Sequence, residues 1–148
     1  MLLIIPILVF VIDRFTKILA LNEFVPGLTL PVIRNVFHFT LTFNRGAAFG
    51  ILKNQLFFLI AVTFLSIIFI CVNLKKESKK PDRLAFLLIL AGALGNLYDR
   101  IFFGYVIDFL DLRVWPVFNV ADSAITIGAL LLGYSVFREF VSVKKKHK

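Results

Sequence analysis

Leu56 to Leu74 is a run of nineteen residues without one charged side chain. As a helix it would be roughly 28 Å long, close to the thickness of a bilayer's hydrocarbon core. The rest of the chain offers no large soluble interior in which to hide it. Of 148 residues, 59% are hydrophobic, 18 are phenylalanine, and the mean hydropathy is +0.91. A soluble domain of this size cannot bury that much apolar surface, because about half apolar is the usual share. The sequence therefore reads as an integral membrane protein.

The apolar pattern predicts an all-α membrane protein, one domain with four spans at about 2–21, 55–74, 84–103 and 119–143. Met1 to Phe10 carries no charge, so the basic start of a cleaved signal peptide is missing and a retained first span is expected. Pro26, Gly27 and Pro31 then stop the helix, and Phe37, Phe39, Leu41 and Phe43 alternate with His38, Thr40 and Thr42. That two-residue period predicts a small β segment at about 30–44, outside the membrane or lying on it, with His38 solvated on its polar face. Residues 104–117 read as a short connection.

The net charge of +8 is concentrated in Lys75, Lys76, Lys79, Lys80 and Arg83, and again in Lys144, Lys145, Lys146 and Lys148. Beside apolar spans, such clusters follow the positive-inside rule and attract anionic lipid; they do not mark a nucleic-acid site. Four spans then place both basic segments and both termini in the cytoplasm, with the β segment and residues 104–117 outside. Cys71 is the only cysteine, and the two histidines, His38 and His147, lie far apart, so neither an intrachain disulfide nor a zinc motif is expected. No metal or cofactor is called for.

Against this apolar background, Gly95 to Asp122 holds Asp99, Asp108 and Asp122 beside Asn96, Arg100 and Asn119. Ionisable groups at the edge of hydrocarbon are costly unless paired or wet, and they mark functional sites by default. Counted from Arg83, Asn96 and Asp99 lie roughly 20–24 Å up the third span, near its outer end. Asp122 opens the fourth span at that face, Asn44 leads into the second, and Asp13 lies somewhat deeper in the first. All four spans place their polar residues in the outer half.

Each residue also has a plainer role. Asp13 and Lys17 form an i,i+4 pair that neutralises itself. Asn119 can cap the fourth helix with Asp122 as its reciprocal partner. Asp99 and Arg100 can pair at the interface, with Arg100 reaching for lipid phosphate. Asp108 has no such role. Two carboxylates brought together share one proton and titrate as a pair, which suits an aspartic protease without metal or activated serine. A Ser123–Lys17 nucleophile is the weaker alternative. A proton-coupled transporter is a second reading, but the acids gather at one face and no inverted repeat is present. A non-enzymatic scaffold leaves Asp108 unexplained.

The same residues resemble the motifs of the lipoprotein signal peptidases, or signal peptidase II. Asn44-Arg45-Gly46-Ala47-Ala48-Phe49 is similar to that family's Asn-x-Gly-x-Ala-Phe, and Gly92 to Arg100 to its Gly-Ala-x-Gly-Asn-x-x-Asp-Arg. Val106-Ile107-Asp108-Phe109 and Phe118 to Ile125 resemble its two catalytic segments. Asp13-Arg14-Phe15-Thr16-Lys17 matches an Asp-Gln-x-Ser/Thr-Lys element except at Arg14, where glutamine is usual. The resemblance runs from Asp13 to about Gly128. It implies an aspartic endopeptidase of the bacterial cytoplasmic membrane, and nothing in the sequence demands more than a monomer. The enzyme would cut diacylglyceryl-modified prolipoproteins before the lipidated cysteine, with Asp108 and Asp122 as catalytic dyad. It further implies that Asn44, Asn96, Arg100 and Asn119 bind substrate, and that Asp13, Lys17, Gly46 and Asp99 support the site. The β segment would be the family's extracytoplasmic cradle.

Overall fold

The computed structural model describes residues 4–46, 52–76 and 80–146. Residues 2–3 of the expected first span, Ala47, Ala48 and Phe49 of the Asn44 motif, and Lys79, His147 and Lys148 lie outside that set. Among the described residues, four helices and three strands follow one another as α1 (Ile4–Glu23), β1 (Thr29–Ile33), β2 (Phe37–Asn44), α2 (Leu56–Lys76), α3 (Lys80–Phe103), β3 (Val106–Asp111) and α4 (Val120–Lys146).

The four expected helices are present, with ends displaced by a few residues. By length and composition α2, α3 and α4 each suffice to cross a membrane. The fourth, α1, is long enough at 20 residues but carries Asp13, Arg14, Lys17 and Glu23. Its outward residues are nonetheless apolar, among them Ile7, Val11, Phe15 and Ile18, whereas Asp13, Lys17 and Ala20 are buried. The helix is thus apolar toward lipid and charged toward its neighbours, the reverse of a water-soluble amphipathic helix. The central helix is α3, packed against α1, α2 and α4. By contrast α2 and α4 keep most of their surface outward, with Phe57, Phe64, Leu65, Leu130 and Phe137 exposed.

The β segment divides at a turn into β1 and β2, and the sheet gains a third strand that the sequence did not announce. Residues 104–117 are more than a connection: β3 pairs antiparallel with β2, giving the order β1-β2-β3. Gly104, at φ 78°, accepts the left-handed turn that ends α3, and its N–H returns to Arg100 O at 3.2 Å. The chain can then double back into β3. The apolar side of the sheet, with Leu41, Ile107 and Phe109, packs on Ala20 and Phe24 at the end of α1. Its pleat therefore turns the opposite side chains, Asn44 and Asp108, toward the ends of α3 and α4. The register slips between Phe39 and Thr42, so Thr42 faces Asp108 while His38 faces Asp111. His38 is not solvated as expected. It is half-buried, and both ring nitrogens are shielded without a hydrogen-bond partner among the described residues.

Candidate active site

A cavity of about 190 Å³ opens where β3, the end of α3 and the start of α4 converge. Asp108 and Asp122 both line it, with Asn44, Asn96 and Arg100 around them and Trp115, Phe118 and Thr126 closing the apolar side. None of the last three was named as a site residue from the sequence: Trp115 read as an outer-boundary aromatic, Phe118 only as the start of a motif, and Thr126 not at all. They sit on the segment leading into α4 and on its first turns.

Each carboxylate is held by asparagine. Asp108 accepts from Asn119 Nδ2 at 2.7 Å and from Asn44 Nδ2 at 3.1 Å. Asp122 accepts from Asn96 Nδ2 at 2.7 Å. Asn119, fully buried, joins the two halves: its amide also reaches Asn96 Oδ1 at 3.2 Å, while its Oδ1 accepts the Asp122 backbone N–H at 2.9 Å. It is therefore the N-cap of α4, as expected. The reciprocal half of the cap does not form, because the Asp122 side chain turns to Asn96 and the cavity. Asn44 Oδ1 accepts the Gly46 N–H at 2.9 Å, which fixes the amide so that its nitrogen points at Asp108. Neutral amides suit this task, since they can donate to either protonation state without adding charge.

Behind the cavity lies a second tier. Lys17 Nζ meets Asp13 at 2.9 Å, Asp99 at 2.8 Å and Asn96 Oδ1 at 3.2 Å. The expected Asp13–Lys17 pair is thus one edge of a larger cluster. Lys17 does not serve Ser123, whose hydroxyl donates instead to Asn119 O at 2.9 Å. Asp99 does not pair with Arg100; its cations are Lys17 and Arg14. Arg100, rather than reaching for lipid, lines the cavity and approaches Gly46 O at 3.4 Å. The two supporting acids share one geometry. Asp99 accepts the N–H of Ile107 at 3.2 Å, and Asp13 accepts the N–H of Ala121 at 2.9 Å. Each anchors the residue immediately before one of the two cavity carboxylates.

The environment of Asp108 favours a retained proton. Burial and the nearby Asp122 charge together push its carboxyl from 3.8 up to about 7, against the opposing hydrogen bonds of Asn44 and Asn119. Asp111 behaves oppositely. Burial alone would raise it, but bonds from the Arg113 N–H and the Thr40 hydroxyl, each 2.8 Å, and the Arg113 guanidinium hold it below the usual carboxylate value. Arg113 is thus engaged at the edge of the sheet with Asp111.

Residues 5–138 match the model of the family described as signal peptidase (SPase) II. The chain belongs to that family. It is accordingly a multi-pass membrane enzyme, an aspartic peptidase that removes signal peptides. The chain is similar to a protein of Halothermothrix orenii named lipoprotein signal peptidase, 44% identical over 133 residues, covering 89% of this chain and 92% of the relative. A protein of the same name from Moorella thermoacetica is 47% identical over 134 residues, with 88% of each covered. Among solved structures, a bacterial membrane enzyme determined by the in meso method at 2.3 Å superposes with a TM-score of 0.90 at 31% identity, over 94% of this chain and 88% of the other.

Proposed function

We propose that Asp108 and Asp122 are the catalytic dyad of this peptidase, and that it cleaves prolipoproteins carrying diacylglycerol, on the N-terminal side of the lipidated cysteine. The observation that carries the reading is one cavity lined by both carboxylates, each held by asparagine donors and, among the described residues, neither in a salt bridge. An ionised member takes a proton from water as the oxygen attacks the scissile carbonyl carbon, while the protonated member donates to the carbonyl oxygen. The resulting diol collapses as the C–N bond breaks and the departing nitrogen is protonated. Asn44, Asn96, Asn119 and Arg100 hold the substrate and the dyad. Gly46 supports Asn44, while Asp13, Lys17 and Asp99 support the backbone.

The site lies at the end of the helices opposite both basic clusters, which supports placing it at the extracytoplasmic face of the cytoplasmic membrane with both termini inside. A lipid-anchored peptide delivers its scissile bond to that depth, and a monomer suffices for the chemistry. The test is cleavage of a diacylglyceryl-modified prolipoprotein by purified enzyme. Asp108→Asn and Asp122→Asn should each abolish turnover, and the unlipidated precursor should persist. Wild-type rates in either variant would overturn the dyad.

A further inference from the structure

Arg14 does not line the cavity, yet it completes the charge balance behind it. Asp13, Lys17 and Asp99 are buried to within 1% of completely, which sets two carboxylates against one ammonium. The ammonium pairs with Asp13 and with Asp99 and donates a hydrogen bond to Asn96 Oδ1. It reaches Asp99 through Oδ2, the same oxygen that accepts the Ile107 N–H. The other oxygen, Oδ1, belongs to Arg14, whose Nη1 lies 2.6 Å away. The guanidinium rests over the Tyr98 ring, 4.8 Å from its centroid, and its side chain is only 15% exposed. With a cation on each oxygen, the Asp99 carboxylate cannot rotate away from Ile107.

We propose that Arg14 is a positioning residue of the peptidase: by pinning Asp99 Oδ1 it keeps Asp99 Oδ2 on the Ile107 N–H, and so keeps the neighbouring Asp108 in register with Asp122. The proposal rests on the dyad reading. Without the guanidinium, Lys17 must satisfy both acids alone, the Asp99 plane is free to turn, and β3 shifts relative to α4. Substrate contacts are untouched, so the loss belongs to turnover and not to binding.

The experiment is a set of kinetic measurements on detergent-purified full-length enzyme with a lipidated prolipoprotein. Arg14→Gln should lower kcat roughly 10- to 100-fold, the scale of a small misplacement at a reacting centre, with KM unchanged. Arg14→Lys, which keeps a cation, should recover most of it. If Arg14→Gln does not yield folded protein, Asp99→Asn is compared with the Asp99→Asn/Arg14→Gln double variant. These two should have nearly equal kcat, because the close contact of Arg14, at 2.6 Å, is with Asp99, while its Nε stands 3.7 Å from Asp13. Wild-type kcat in Arg14→Gln, a change confined to KM, or a double variant roughly tenfold or more slower than Asp99→Asn would each overturn the proposal. Asp108→Asn measured alongside separates the two failures: activity there removes the dyad, whereas an inactive Asp108→Asn with unimpaired Arg14→Gln removes only Arg14.

Discussion

Asp108 illustrates how burial assigns a role to an otherwise ordinary carboxyl. In the folded chain it releases its proton at about 7, but in the unfolded chain near 3.8. Between those values the folded state binds the extra proton, so its stability falls as pH rises. The contribution is fully present below pH 4 and gone above 7, with a slope of at most roughly 1.4 kcal/mol per pH unit. Asp108→Asn should flatten that slope in thermal-unfolding midpoints measured from pH 4 to 8. Turnover should likewise decline on the alkaline side of about pH 7, as Asp108 loses the proton it is proposed to donate, and a kcat–pH profile reads this directly. The convergence of Asn96, Asp99 and Asp122 near the outer face, with Asn44 leading in from it and Asp13 somewhat deeper, was legible, because helix rise converts residue number into height. Which oxygen meets which N–H was not. The Asp13–Ala121 and Asp99–Ile107 bonds join residues from different elements, and no local pattern encodes a backbone donor.

At the scale of elements, the helices were legible and β3 was not. An apolar run of membrane length admits few alternatives. Val106 to Asp111 has six residues, two of them aspartate, and becomes a strand because the edge of β2 and the Phe118 backbone offer it partners. Tertiary pairing decided its conformation. Helix contact is equally exacting at Gly95. A Cβ there would lie 2.7 Å from Asp13 Oδ2 and 3.2 Å from the Ala121 Cβ, so α1, α3 and α4 meet where only glycine fits. Gly95→Ala should displace Asp13 from Ala121 and destabilise the protein by about 1–3 kcal/mol. It should also reduce turnover more than an equally destabilising change remote from the site. Unfolding midpoints together with kcat would show whether the two losses part company.

The whole molecule is a bundle with a polar, cavity-bearing end under a small sheet and a basic end opposite it. Topology can be tested with single cysteines in a Cys71→Ser background. Val114→Cys, 91% exposed beside the sheet, should react with a membrane-impermeant maleimide in intact cells. Ser142→Cys, near the basic tail, should react only after the membrane is opened. The reversed pattern would invert the orientation. The two-faced character of α1 also bears on how the protein is made. Its buried charges meet their partners far along the chain, Lys17 with Asn96 across 79 residues. A ribosome delivers α1 long before α3 exists, when only the Asp13–Lys17 pair can offset its charge and Arg14 has no Asp99 to meet. The buried charges of the first helix therefore find their full set of partners only when the third arrives, which ties insertion of α1 to synthesis of α3.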